Sequence, residues 1–253
     1  MNKKSYSAIG LVLAMVSASA LSSCIEHDDS ESESLLQGYF TVEGSPTKVI
    51  LHQDGGGTVI PDLSSINKVA DFVNHDRYML QLKYRQMDIS ADGKTITGAQ
   101  LYGGQVVPVS NPLTLQQASD SSKLVLAPDS LFSMRQLSGY WAYRGYLTIV
   151  VNGDYSYKIT EGRTNYIYPT LSLVYDPANL QEPNRLNLTL CYNRHTDKQT
   201  SSAGTYNFPT SFRLDEFAAL VPGNDTIQVS IAGVGITTTN FKVGRQDLLK
   251  GNY

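Results

Sequence analysis

The chain has 253 residues, with 20 Lys and Arg against 23 Asp and Glu and a formal net charge of −3. No basic cluster interrupts this mildly acidic balance, so no nucleic-acid partner is expected. The two cysteines, Cys24 and Cys191, are too few for a disulfide framework or a metal site built on paired cysteines, and neither a metal nor any other cofactor is expected.

The chain opens with Lys3 and Lys4, followed by an apolar run from Ala8 to Ala20. That run is shorter than the about 20 residues needed to span a bilayer, and its flanks read as a cleaved export signal over residues 1–23. Leu21-Ser22-Ser23-Cys24 resembles the bacterial lipoprotein box. The resemblance implies cleavage between Ser23 and Cys24 and acylation of Cys24 by chains such as palmitate. Each buried methylene contributes about 0.8 kcal/mol, so one chain holds marginally and two hold stably. Loss of Lys3 and Lys4 with the leader makes the mature chain more acidic. With Cys24 acylated, Cys191 has no intramolecular partner and reads as a packed thiol opposite the leucine face of 186–192.

Residues 24–36 are polar and acidic with few core residues, and read as a flexible tether. Glu26, Asp28 and Asp29 resemble the surface-export signals of Bacteroidetes lipoproteins. The expected location is therefore the outer membrane, lipid-anchored, with display at the cell surface favoured over a periplasm-facing position.

From Gln37 the pattern is β. Short runs at 39–42 and 48–53 precede Asp54-Gly55-Gly56-Gly57, which reads as a turn into a strand at 58–60. Asp62 reads as the cap of a short helix presenting Ile66, Val69, Ala70 and Val73. Residues 77–84 alternate, with Tyr78, Leu80, Leu82 and Tyr84 on one side. Two further runs at 94–101 and 105–109 complete a first domain over 37–125 that suits a small barrel. The stretch 123–137 is irregular and carries the boundary. In the second domain, 126–253, strands are expected at 145–151, 155–160, 170–175, 186–193, 211–217, 225–231 and 236–243. Their loops are rich in Gly, Pro, Asn and Asp, which suits an antiparallel β-sandwich.

Candidate chemistry is sparse. Asp88-Ile89-Ser90-Ala91-Asp92-Gly93 begins like a calcium loop, but its twelfth position is Ala99, so Asp92-Gly93 reads as a hairpin turn. The glycines after Asp54 lack a following Gly-Lys-Ser/Thr and read as a turn, not a phosphate cradle. His27, His52, His75 and His195 form no metal-ligand spacing, and no nucleophile elbow is present, so no enzyme is expected. Asp129-Ser130-Leu131 and Asp225-Thr226-Ile227 resemble a short O-glycosylation motif of Bacteroidetes. The 16 tyrosines stand out. Tyr140, Trp141, Tyr143 and Tyr146 form one cluster and the candidate binding residues; Tyr155, Tyr157, Tyr166 and Tyr168 form another. Aromatic faces suit sugar platforms or protein anchors.

The order of motifs resembles the NigD-like lipoproteins of Bacteroidetes over residues 24–245. After the lipobox and acidic tether come Asp54-Gly55 with Val59-Ile60-Pro61, then Asp76-Arg77 before the strand to Tyr84. Trp141 then leads into Gly145-Tyr146-Leu147, and Ser211-Phe212 precedes a final β pair. The resemblance implies an all-β protein, an OB-like barrel followed by a C-terminal β-sandwich, and no catalytic residues. His195 falls in the polar segment 193–197, to which the family assigns no role. The expected function is a non-enzymatic binding or protective module of the bacteriocin-immunity kind, held to the membrane by lipid and meeting an envelope protein, peptide or glycan. The alternative is a surface glycan-binding lipoprotein that uses the tyrosine-rich faces.

Overall fold

The computed structural model describes residues 32–120, 134–181, 184–195, 200–217, 226–233 and 236–249. Ser23, Cys24, His27 and the motif at 129–131 lie outside the described residues.

Five strands form a closed barrel: β1 (Glu33–Ser45), β2 (Lys48–Gln53), β3 (Thr58–Pro61), β4 (Arg77–Arg85) and β5 (Thr95–Val106). Their order is β1-β2-β3-β5-β4, with β4 closing onto β1 and β3 parallel to β5. This is an OB-like barrel. Alternation along the strands sends Phe40, Val49, Leu51, Leu80 and Leu82 into its core. β1 begins earlier than the acidic composition suggests, because the backbone of Glu33–Leu36 pairs with that of Arg85–Leu82. A Glu33–Lys83 ion pair lies beside that ladder.

β5 is one strand where two runs are expected. Gly104, which reads as a break, marks a close approach: a Cβ there would stand 2.6 Å from Leu80 Cδ2. The helix expected after Asp62 is shorter than its pattern. Asp62 caps a 3-10 turn by accepting from Ser64 N, Ile66 is extended, and Lys68 takes a left-handed conformation. Only Val69–Phe72 is α-helical. Ile66 and Phe72 still reach the barrel core.

The second unit has two facing sheets. β6 (Val109–Ser110) and β7 (Leu113–Thr114) follow the barrel and join one sheet each. Then come β8 (Met134–Tyr143), β9 (Tyr146–Thr160), β10 (Arg163–Ile167), β11 (Thr170–Tyr175), β12 (Arg185–Asn193), β13 (Ser201–Arg213), β14 (Thr226–Gly233) and β15 (Ile236–Gly244). In the first sheet β9 carries β13 along one side and β8, then β10, along the other; β6 adds beyond β13. The second sheet runs β15-β14-β12-β11-β7. Most pairings are antiparallel, while β6–β13, β7–β11 and β12–β14 are parallel. Leu147, Ile149 and Val151 of β9 meet Leu186, Leu188 and Leu190 of β12 and Ile227, Val229 and Ile231 of β14 between the sheets. Tyr143-Arg144-Gly145-Tyr146 is a two-residue hairpin with positive φ at both central residues, the type I′ signature.

β9 explains its own composition. Leu147, Ile149 and Val151 face the sandwich core, while Tyr146, Thr148 and Val150 point the other way, toward the barrel, and are buried as well. Nearly every residue is apolar because both faces are covered.

Candidate functional site

The barrel and sandwich meet at a polar seam centred on Arg77. As the first residue of β4, Arg77 points opposite to the core-facing Tyr78, yet it is 0% exposed because the sandwich lies over it. Its five N–H donors all find acceptors. Nη1 donates to Thr41 Oγ1 at 2.7 Å and Asp54 Oδ1 at 2.6 Å; Nη2 donates to Asp54 Oδ2 at 2.5 Å and Thr148 Oγ1 at 2.9 Å. Nε donates to Ser211 Oγ at 3.4 Å, and the Thr148 and Ser211 hydroxyls lie 2.8 Å apart. The bidentate Arg77–Asp54 pair is the strong form of such contacts.

Asp54 is delivered by the glycine turn between β2 and β3, where Gly55, Gly56 and Gly57 all have positive φ. Its Oδ2 also accepts from Trp141 Nε1 at 2.6 Å, so a sandwich indole and a barrel guanidinium share one carboxylate. Two more ion pairs cross the seam, Asp76–Arg213 and Glu43–Arg144, and His52 Nε2 lies 2.7 Å from the same Glu43 oxygen. Tyr146 has two cations over its ring, with Arg77 Cζ 5.2 Å and Arg213 Cζ 5.8 Å from the ring centre. Burial, with the Asp76 charge, pushes its hydroxyl pKa up to about 12. That hydroxyl is buried without a protein hydrogen bond.

The four candidate binding residues therefore do not share an exposed face. Trp141 is bound into the seam, stacked edge-on to Tyr39 at 4.9 Å. Tyr146 is 1% exposed, and Tyr140 packs on Phe241 at the margin of the sandwich core. Tyr143 is half-buried opposite Tyr146 in the hairpin.

The second tyrosine cluster does assemble. Tyr155 and Tyr168 stack at 5.6 Å and 22°, Tyr166 lies 6.0 Å from Tyr155, and Tyr206 lies 5.3 Å from Phe208. Tyr157, opposite Tyr166 in the β9–β10 register, is half-buried. Tyr155, Tyr168, Tyr206 and Phe208 line the sandwich wall of a cavity of about 590 Å³ at the seam, whose barrel wall is Gln105 and Val106 at the end of β5. A second cavity of about 410 Å³ adjoins it, sharing Gln105, Tyr206 and Pro209 and reaching Tyr39 and Asn152. Together they form a trough. Among the described residues, no lining side chain of either cavity is charged.

The other singled-out residues have structural partners. Cys191 is buried with Val174 and Ala118 on the side of β12 away from its leucines, and burial pushes its thiol pKa up. His75 packs edge-on to Tyr78, and His195 Nε2 lies 2.7 Å from Thr170 Oγ1. Asp88 binds Arg85, while Asp92 accepts from Ser90 and Lys94 within the hairpin turn. Thr226 is exposed at the start of β14.

No family model and no curated protein matches the sequence. Solved structures do match along nearly the whole chain. A protein of Bacteroides fragilis, provisionally described as a lipoprotein, aligns with a TM-score of 0.54 at 12% identity, over 84% of this chain and 98% of its own. A protein of Parabacteroides distasonis, provisionally described as toxin-related, gives 0.52 at 18% identity, over 85% and 96%. A NigD-like immunity protein from Bacteroides caccae gives 0.51 at 18% identity, over 83% and 97%.

The chain shares the fold of these proteins.

The likeness covers the barrel and the sandwich together, and the motifs behind the sequence resemblance converge in space. Asp54, Arg77, Trp141 and Ser211 lie in one hydrogen-bonded cluster, with Asp76 and Tyr146 beside it. What sequence reasoning missed is the trough, whose barrel residues Tyr39, Met79 and Gln105 carry no motif and meet Tyr206 only across the seam.

Proposed function

We propose that the chain is a non-catalytic binding module of the bacterial envelope, held to the outer membrane through acylated Cys24 and facing the cell exterior. The observation that carries this reading is the trough at the seam of two units locked together by Arg77. An uncharged, aromatic-lined concavity is suited to holding a ligand.

The register of β1 adds an orientation. Glu33, near the point where the tether enters, and Tyr39, in the trough wall, are six residues apart on one strand. At about 3.3 Å per residue that separates them by roughly 20 Å. Tyr39 stands midway along β1, so the trough is set in from the end that the tether enters.

The description of the Bacteroides caccae protein as an immunity protein extends the reading to protection, with an envelope protein or a peptide toxin as the partner. The test has two arms. Cys24→Ala should move the protein from the membrane to the soluble fraction, and a wild-type protein already soluble would overturn the anchor. A deletion strain challenged with culture supernatants of sibling strains should become more sensitive than its parent. Equal survival would overturn the immunity reading.

A further inference from the structure

We propose that the seam trough binds a short neutral oligosaccharide, which names the ligand class for the binding module above and rests on that reading. The first argument is charge. Every lining side chain of the two cavities is Tyr, Phe, Pro, Val, Met, Thr, Gln or Asn. A sulfated or uronic-acid glycan, or a charged peptide, would leave its charges desolvated and unpaired there.

The second argument is the pairing of ring faces with amides. Tyr168 and Tyr206 are 55% and 45% exposed, and Tyr155 stacks beside Tyr168 as a half-buried neighbour. Ring faces take the C–H face of a pyranose, and the phenol hydroxyls offer hydrogen bonds at the rim. Gln105 stands across from them on the barrel wall, and Asn152 and Asn207 lie beside Tyr206 in the adjoining cavity. Gln105 Oε1 accepts from Tyr206 Oη at 3.3 Å, and Asn207 Oδ1 accepts from Asn152 Nδ2 at 3.0 Å. These bonds fix the amides in place, Asn207 Oδ1 accepting from Ser138 Oγ as well, and leave the Gln105 and Asn207 amide N–H groups to donate to sugar hydroxyls.

The third argument is that the backbone is adapted beneath the platform. β13 bulges between Ser202 and Gly204, opposite Tyr155. Gly204 has φ +155°, and a Cβ on it would press within 3.4 Å of Tyr155 Cε1. Bulges of this kind re-aim side chains beside binding sites. The cavity of about 590 Å³ falls within the usual size of small-ligand sites.

The test uses the detergent-solubilised mature protein and neutral hexasaccharides of glucose, mannose and galactose. Binding is followed by calorimetry and by the emission of Trp141, the chain's single tryptophan, whose neighbour Tyr39 lines the trough. At least one hexasaccharide should bind saturably. Tyr168→Ala and Tyr206→Ala should each weaken it about ten-fold at unchanged melting temperature. Tyr102→Ala, an exposed tyrosine outside the trough, should leave it unchanged. No binding at millimolar sugar, or wild-type affinity in both trough variants, would overturn the proposal. So would a proline-rich decapeptide that occupies the trough while no hexasaccharide does. Failure here with Cys24-dependent anchoring intact removes the sugar assignment alone. A soluble wild-type protein that binds sugar removes the anchor and leaves this site standing.

Discussion

Arg77 and Tyr146 are neighbours in the seam with opposite balances of polar satisfaction. Arg77 is fully buried and spends all five donors, two of them on Asp54, whose side chain is itself 8% exposed. Removing the guanidinium leaves a carboxylate buried beside Trp141 without its counter-charge, which costs about 3–5 kcal/mol. Tyr146 contributes its ring to two cations, but its hydroxyl bonds to nothing in the protein. Arg77→Ala should therefore lower the unfolding free energy in urea by about 3–5 kcal/mol, and Tyr146→Phe should change it by less than about 1 kcal/mol. The reverse ranking would contradict this account of the seam.

Among the elements, β9 serves three surfaces at once: the sandwich core, the barrel and the trough. Its first half was legible in sequence because burial on both faces leaves an unbroken apolar run. Its second half alternates and was read as a separate strand, since nothing in 152–154 shows that the ladder to β13 continues. Gly153 looks like a strand break for a local reason that is in fact a tertiary one. The Tyr192 ring of the opposite sheet lies against it, and a Cβ would stand 2.8 Å from Tyr192 Cε2. Tyr192 is 1% exposed and donates to Asp154 O at 2.6 Å, so it has no room to retreat. Gly153→Ala should destabilise the fold by about 1–3 kcal/mol, seen as a lower melting temperature. An unchanged melting temperature would show that the ring yields. The helix after Asp62 was over-read for the converse reason: its apolar spacing is real, but Ile66 and Phe72 reach the barrel core from an extended residue and a single turn.

At the scale of the molecule, a small barrel followed by a sandwich was legible from strand spacing, and the OB-like identity of the barrel came with the family resemblance. The site was not legible. Asp54 read as a turn residue and Arg77 as the start of a strand, because their partners lie up to 134 positions away. The tyrosine cluster with the denser sequence signature, 140–146, was consumed by the seam and the sandwich core. The sparser one, joined by Tyr206 and Gln105 from separate strands, became the exposed trough. Composition shows that rings are abundant, and only the docking of barrel on sandwich decides which remain open. On the function proposed above, that open trough faces the outside of the cell. Protease shaving of intact cells, with a lysed control, tests this most directly. The account predicts that the protein is lost from intact cells as completely as after lysis. Survival until the envelope is broken would contradict it and turn the trough toward the periplasm.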